Sequence, residues 1–79
     1  MQVLIKKIRQ YAGLSQQEFG EKLGVTFATV NRWENGKATP NKLAQTKLYD
    51  FCKENHIPVY DMTIQHIQEE VESLMHPDL

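Results

Sequence analysis

The chain has 79 residues, of which 41% are hydrophobic and 24% are charged, and this composition is typical of one small globular domain. A chain of this length is too short for two independent cores. It has no apolar run long enough to cross a bilayer and no uninterrupted apolar stretch of a signal peptide, so we expect a cytoplasmic protein. A single cysteine, Cys52, excludes an internal disulfide.

The net charge of −1 hides an uneven distribution of charge along the chain. Residues 1–55 carry all nine basic side chains and five acidic ones, a net charge of +4, whereas residues 56–79 carry five acidic side chains and no Lys or Arg. Because phosphate binding depends on the local field, the total charge does not exclude a nucleic-acid partner. For Lys22, Lys47 and Lys53 individually, we favour a solvated surface of mixed sign over phosphate binding.

Five helices and no strand are predicted along the chain. The first is indicated by Leu4, Ile8, Tyr11 and Ala12, which follow the i, i+4, i+7, i+8 spacing of an amphipathic helix. Gly13 follows as the residue at which this helix ends.

The second helix is predicted to begin with a capping box. In this arrangement the Ser15 hydroxyl accepts a hydrogen bond from the backbone N–H of Glu18, and the Glu18 carboxylate accepts one from the backbone N–H of Ser15. Phe19 and Leu23 lie four residues apart and share one face. Gly20 costs about 1 kcal/mol relative to alanine in a helix interior, and a close crossing of the third helix supplies a packing reason for it.

The third helix follows the second after a very short turn. Gly24 can end the second helix in the left-handed conformation, and Thr26 is a suitable N-cap for the third. Val30 and Trp33 lie three residues apart and face inward. The pair Asn35-Gly36 is predicted to close this helix with another left-handed end.

A fourth helix is predicted from Thr39-Pro40 to about Asn55, because Thr39 can cap a helix whose first residue is proline. Its inward face is formed by apolar residues at helical spacing, namely Ala44, Leu48, Phe51 and Cys52. The place of Cys52 on this face indicates a reduced, half-buried thiol, with a redox role as the alternative.

Residues Leu14 to Gly36 resemble the helix-turn-helix of the phage repressor and Cro group, the XRE family. The resemblance extends from about Val3 to Phe51. It is carried by the motif residues Leu14, Ser15, Gln16, Gln17, Glu18, Phe19, Gly20, Gly24, Val30, Trp33, Glu34, Asn35 and Gly36. It implies an all-α, lambda-repressor-like bundle of about five short helices, whose third helix reads double-stranded DNA in the major groove. We expect residues 1–55 to form this DNA-binding domain.

The resemblance implies that residues on the exposed face of the third helix contact base edges, namely Phe27, Ala28, Asn31 and Arg32. Arg32 can donate two hydrogen bonds to guanine O6 and N7, whereas Phe27 and Ala28 offer only apolar contact, most usefully with thymine methyl groups. Family members often carry polar groups at these first two positions, whereas this chain carries apolar ones. We therefore expect a thymine-leaning or partly shape-driven preference. The alternative for Phe27 is packing against a neighbouring helix or a partner.

Phosphate contacts are expected from helix N-termini and from the polar, basic loop after the third helix, namely Gln16, Thr26, Thr29, Asn35, Lys37, Thr39, Asn41 and Lys42. The Gln16 amide can hold a phosphate together with nearby backbone N–H groups. The alternative for Asn35 is that it serves only to end the third helix. The resemblance also implies a structural salt bridge between Arg9 and Glu34, whose loss would mimic a loss of DNA binding by unfolding the domain.

Residues 56–79 are predicted to form an acidic helical extension, in which Asp61 caps a fifth helix that reaches about Met75. Pro58 disfavours the helical conformation at Ile57 and so separates this helix from the fourth. Apolar residues recur in the extension at steps of three and four, namely Ile57, Tyr60, Ile64, Ile67, Val71 and Leu74. This seam either lies on the domain's own core or pairs with a second copy, and we favour a homodimer with two reading helices.

Enzymatic functions find little support in the sequence. His56, His66 and His76 are ten residues apart and do not align on one helical face, so no metal site is predicted. The chain has no Gly-rich phosphate loop and no nucleophile with an evident base, and no cofactor is expected. The rival function is a protein-interaction module, such as an antitoxin-like partner or the regulatory head of a larger polypeptide, in which the acidic helix binds another protein.

Overall fold

The computed structural model describes residues 2–59. These residues form four helices and no strand. The helices are α1 (Gln2–Tyr11), α2 (Gln16–Leu23), α3 (Phe27–Glu34) and α4 (Lys42–Glu54). The predicted all-α class is confirmed, with four helices in this part of the chain instead of about five in all. The fifth helix, predicted from Asp61 to about Met75, lies outside the described residues.

The predicted caps of α2 and α3 are confirmed. The backbone N–H of Glu18 donates to the Ser15 hydroxyl at 3.1 Å, and the backbone N–H of Ser15 donates to the Glu18 carboxylate at 2.9 Å. At the start of α3, the backbone N–H of Thr29 donates to the Thr26 hydroxyl at 3.1 Å. Each cap satisfies backbone N–H groups that have no partner within the helix, and so fixes where the helix begins.

All four helices end with the same pair of backbone hydrogen bonds, the Schellman motif. At the end of α3 the Lys37 N–H donates to the Arg32 carbonyl at 2.9 Å, and the Gly36 N–H donates to the Trp33 carbonyl at 3.2 Å. The left-handed residues of the four motifs are Gly13, Gly24, Gly36 and His56. The predicted end of α3 is therefore corrected in one detail: Asn35 has φ −94°, and only Gly36 is left-handed.

The predicted start of α4 is wrong by two residues. Asn41 is the N-cap, and its side-chain oxygen accepts a hydrogen bond from the Ala44 N–H at 2.9 Å. Thr39 and Pro40 belong to the preceding loop, where Pro40 is buried and its carbonyl accepts from the Gln45 amide at 2.9 Å. Proline packs here as a loop residue, so α4 begins only after Asn41, whose side chain can accept a hydrogen bond from one of the first amides of the helix.

The core lies where the four helices meet. Phe19, Ile5 and Val30 are its most deeply buried large side chains, and the rings of Phe19 and Phe51 meet edge to face with centroids 5.4 Å apart. The buried residues of this hydrophobic core are Ile5, Ile8, Phe19, Leu23, Val30, Trp33, Ala44, Leu48, Phe51, Cys52 and Ile57. The predicted inward faces of α2, α3 and α4 are therefore confirmed.

The predicted face of α1 needs a correction. Tyr11 is 59% exposed, whereas Ile5, which the predicted face left out, is 1% exposed. Ile5, Ile8 and Ala12 form the centre of the buried stripe at steps of three and four, so Tyr11 projects from the edge of that stripe.

Ile57 also departs from its predicted role in a dimer seam. Its side chain is 7% exposed and packs in the domain's own core, and its backbone N–H donates to the Cys52 carbonyl at 2.9 Å. The left-handed His56, with φ 54°, turns the chain so that Ile57 returns to the core. The other predicted seam residues, from Tyr60 onward, lie outside the described residues.

Gly20 is required by the turn between α2 and α3. A Cβ atom at this position would lie 2.8 Å from the Val25 carbonyl oxygen and 3.3 Å from that of Thr26. These atoms are backbone, so they cannot move aside as the end of a flexible side chain would. The close approach was predicted, but it involves the turn before α3 instead of α3 itself.

The described residues show no membrane-spanning helix and no metal-binding cluster. None of the helices in residues 2–59 is long and apolar enough to cross a bilayer. In the same part of the chain, no three His, Cys, Asp or Glu side chains are grouped so that they could hold a metal ion. Cys52 is buried, and this burial raises the pKa of its thiol, which keeps the thiol protonated.

Candidate nucleic-acid interface

The outer face of α3 carries exposed side chains at three of the positions predicted to read bases. Phe27 is 54% exposed, and Ala28 and Arg32 are also exposed. On the opposite side of the helix, Val30 and Trp33 are buried in the core. This division leaves the start and the next turn of α3 free to enter a groove, while its inner side fixes the orientation of the helix.

Asn31, the fourth predicted base reader, is half-buried and engaged within the protein. Its side-chain N–H donates to the Gln16 side-chain oxygen at 3.2 Å, and its own side-chain oxygen accepts from the Asn35 amide at 3.0 Å. Both halves of the Asn31 amide therefore have partners before any ligand binds. The amide thus positions its neighbours, while its second N–H is not used in these two contacts.

Arg9 and Glu34 meet as a bidentate ion pair. Arg9 Nε donates to Glu34 Oε2 at 2.7 Å, and Arg9 Nη2 donates to Glu34 Oε1 at 2.9 Å. The side chains of Arg9 and Glu34 are only 15% and 4% exposed. A third guanidinium nitrogen, Nη1, donates to the Leu14 carbonyl at 3.0 Å, so one side chain joins α1, the loop after it and the end of α3.

Gln16 extends the ion pair into a network across three helices. Its side-chain N–H donates to Glu34 Oε1 at 3.1 Å, while its oxygen accepts from Asn31. Five side chains thus form what we call the polar network, namely Arg9, Glu34, Gln16, Asn31 and Asn35. The resemblance to the XRE family implied the pair of Arg9 and Glu34, whereas Gln16 and Glu34 are 18 residues apart and no local spacing connects them.

The polar network keeps its two ionisable members charged. Burial raises the pKa of the Glu34 carboxyl, but the hydrogen bonds from Arg9 and Gln16 and the charges of Arg9 and Lys6 together lower it below its usual value. The hydrogen bond to Glu34 raises the pKa of Arg9, against the smaller effect of burial. A charged, hydrogen-bonded pair therefore holds the end of α3 at neutral pH.

The predicted phosphate residues at the start of α3 serve as its cap. The Thr26 hydroxyl accepts from the Thr29 N–H, and the hydroxyl oxygens of Thr26 and Thr29 lie 2.9 Å apart in a hydrogen bond. Thr26 is exposed and Thr29 is half-buried. The two hydroxyls are thus engaged with each other at the helix end that would face DNA.

The predicted phosphate residues after α3 lie on an exposed loop. Asn35, Lys37, Thr39 and Lys42 are all exposed, and the Asn35 amide donates to the Asn31 carbonyl at 2.9 Å. Asn41 is exposed but uses its side-chain oxygen to cap α4. The loop and the first residue of α4 therefore present two lysines and several polar groups after the end of α3.

A shallow hollow brings part of this loop beside the first turn of α3. Thr29, Thr39 and Asn41 line it, together with Lys47 of α4. The ammonium group of Lys47 lies near Gly24, 3.3 Å from where a Cβ atom would be. The sequence favoured a solvated surface position for Lys47. Only the packing of α4 beside the turn places the charge of Lys47 near the predicted phosphate residues.

Comparison with known proteins agrees with this arrangement. The family model described as helix-turn-helix matches residues 5–44. The chain belongs to the helix-turn-helix family. This finding supports the resemblance to the XRE group, because the matched range includes α1, α2, α3 and the start of α4.

A curated relative points to the same family. The chain is 32% identical over 57 residues to an uncharacterized HTH-type transcriptional regulator of Methanothermobacter thermautotrophicus. The matched region covers 72% of this chain and 83% of the relative. No solved structure matches the chain significantly. Family and relative together support a DNA-binding regulator.

The ion pair yields a prediction about stability. Arg9→Ala leaves the Glu34 carboxylate buried without its main partner, and we expect it to lower the free energy of unfolding by about 3 kcal/mol. In thermal unfolding followed by circular dichroism, this corresponds to a fall in Tm of roughly 4–8 °C for each kcal/mol. Lys22→Ala, which removes the same charge from an exposed position of α2, is the control and should change stability by less than about 0.5 kcal/mol. An unchanged Tm of Arg9→Ala together with lost DNA binding would contradict the structural role.

Proposed function

We propose that the protein is a sequence-specific, double-stranded DNA-binding regulator of transcription that places α3 in the major groove. The observation that carries this proposal is the division of α3 into an exposed face with Phe27, Ala28 and Arg32 and a buried face with Val30 and Trp33. The polar network and the short turn after Gly24 support it, because they hold α2 and α3 in one fixed arrangement.

Arg32 is the main candidate for reading a base. Its exposed guanidinium can donate two hydrogen bonds to O6 and N7 of one guanine, the pairing in the major groove that specifies this base best. Phe27 and Ala28, one turn closer to the start of α3, supply apolar contact with thymine methyl groups. Asn31 is retained as an indirect contributor, because its amide holds Gln16 and Asn35 in place.

Phosphate contacts come from groups that do not depend on the base sequence. The N-termini of α2 and α3 present backbone N–H groups, and Gln16, Thr26 and Thr29 lie at those ends. On the other side of the reading face, the exposed Lys37 and Lys42 contribute positive charge, with Asn35, Thr39 and Asn41 as polar neighbours. These contacts fix the register of α3 on the duplex.

Repression is the favoured outcome of binding. A bound domain of this size can block access to a promoter by occupying it, whereas activation requires a further surface that contacts the transcription machinery.

The proposal is tested by fluorescence anisotropy on a labelled pool of random DNA duplexes, measured at about 50 and 200 mM salt. Binding should weaken steeply, with log K falling by about 0.9 per decade of salt for each phosphate neutralised, because Lys and Arg displace counterions. A folded protein that binds no duplex at low salt would refute the proposal.

Two substitutions separate base reading from phosphate contact. On a duplex selected from the pool, Arg32→Ala should cost about 1–3 kcal/mol and relax the preference at one base pair, whereas Lys37→Ala should weaken all sequences alike. Both side chains are exposed cations, so each variant is the control for the other. If Arg32→Ala keeps the full sequence preference, the assignment of Arg32 to base reading is wrong.

We further propose that residues 56–79 make the regulator a homodimer through the apolar seam from Tyr60 to Leu74. A two-fold dimer places two copies of α3 on half-sites about one helical turn apart, and its acidic outer surface points away from DNA. The uneven charge supports this arrangement, since the segment that would face away from the phosphates carries five acidic side chains and no Lys or Arg. A protein partner bound by the same segment is the second candidate.

Light scattering on the full chain tests the dimer. Ile67→Glu introduces a charge into the middle of the seam and should convert a dimer to a monomer, while Gln65→Glu, two residues away on the outer face, should leave the mass unchanged. A chain that is monomeric at the concentrations at which it binds DNA would contradict the proposal.

A further inference from the structure

We propose that the first turn of α3 recognises the C5-methyl group of a pyrimidine without distinguishing thymine from 5-methylcytosine. This inference rests on the proposed DNA-binding function and deepens it, because it names the chemical group that the unusual start of the reading helix selects. Its basis is the combination of an apolar surface at two successive positions with polar neighbours that are already engaged.

The apolar surface consists of Phe27 and Ala28, the first two residues of α3. Phe27 is 54% exposed and takes no part in the hydrophobic core cluster, although it is among the largest apolar side chains of the chain. Ala28 is exposed beside it. Neither side chain can donate or accept a hydrogen bond, so contact with a base edge is restricted to apolar atoms.

The polar side chains around this turn have partners within the protein. The hydroxyls of Thr26 and Thr29 are bonded to each other, with their oxygens 2.9 Å apart. The Asn31 amide donates to Gln16 and accepts from Asn35. Arg32 is exposed one turn further along the helix, but its guanidinium is a donor only and suits a guanine.

The chemistry of the major groove turns this arrangement into a specific preference. Thymine carries a C5-methyl group and the acceptor O4, whereas 5-methylcytosine carries the same methyl group and an amino donor at position 4. A polar reader would separate the two bases at position 4. An apolar reader senses the methyl group alone, so it favours thymine over uracil and 5-methylcytosine over cytosine, and it does not separate the two methylated pyrimidines.

The size of the effect follows from the burial of one methyl group. Removing a buried methyl from water contributes about fourfold in affinity by the usual area relation. At the position facing Phe27, the ratio of affinities for thymine and uracil should therefore equal the ratio for 5-methylcytosine and cytosine. Affinity should fall about fourfold from thymine to uracil opposite adenine, and by the same factor from 5-methylcytosine to cytosine opposite guanine.

The experiment uses the full chain and a duplex selected from a random pool. Each thymine of that duplex is first replaced by uracil, one at a time, to find the positions at which the methyl group contributes. The duplex is then made with thymine, uracil, 5-methylcytosine or cytosine at such a position, and the four dissociation constants are measured by anisotropy. Because each ratio compares bases with the same purine partner, contacts to that purine cancel.

Two variants assign the effect to the start of α3. Phe27→Gln replaces the exposed ring with an amide that can pair with adenine N6 and N7, and both methyl ratios should fall toward one. Tyr49→Ala removes another exposed aromatic ring, on α4, and should leave both ratios unchanged. Circular dichroism checks that both variants are folded, which their exposed positions favour.

The outcomes separate this inference from the function on which it rests. Equal, substantial methyl ratios that disappear in Phe27→Gln support the inference. Binding with no loss on any thymine-to-uracil change, a ratio confined to thymine, or ratios that survive in Phe27→Gln would overturn it and leave the DNA-binding proposal standing. If no duplex binds at low salt, both proposals fall.

Discussion

The ion pair of Arg9 and Glu34 is the interaction on which the rest of the arrangement depends. It ties the end of α3 to α1, and Gln16 shares the same Glu34 carboxylate, so α2 is held by the same group. A buried carboxylate is stable only while its charge is matched, and here the partner also donates to the Leu14 carbonyl. The orientation of α3, the proposed reading helix, therefore follows from a charge pair whose side chains are largely buried.

Preorganisation links this interior pair to the outer surface. The amides of Gln16, Asn31 and Asn35 have fixed partners, so this part of the surface is ordered before a ligand arrives. Ordering a flexible side chain on binding costs about 0.5–1.5 kcal/mol, and a surface that is already ordered avoids much of that cost. Phe27 and Arg32 are then carried by a rigid frame, and in the proposed function sequence preference depends on few exposed groups.

Local signals predicted much of the fold, whereas contacts between distant residues did not follow from them. The capping box at Ser15 and the left-handed Gly24 depend on neighbours within a few residues, and each appears as expected. The burial of Ile57 and the bonds of Gln16 depend on how helices pack, which no spacing reveals. At the candidate interface, exposure of Phe27 and Arg32 followed from the buried Val30 and Trp33, but the contact of Asn31 with Gln16 depends on how α2 packs against α3.

The uniform helix ends have a consequence for how the chain folds. Each helix end, from Gly13 to His56, is fixed by hydrogen bonds between residues at most about five positions apart in the chain. The same is true of the N-caps at Ser15, Thr26 and Asn41. Short-range signals of this kind let individual helices start and stop before long-range contacts form. Helical domains dominated by local contacts fold in microseconds to milliseconds. The pair of Arg9 and Glu34, in contrast, joins residues 25 positions apart in the chain, so it forms only when α1 meets α3.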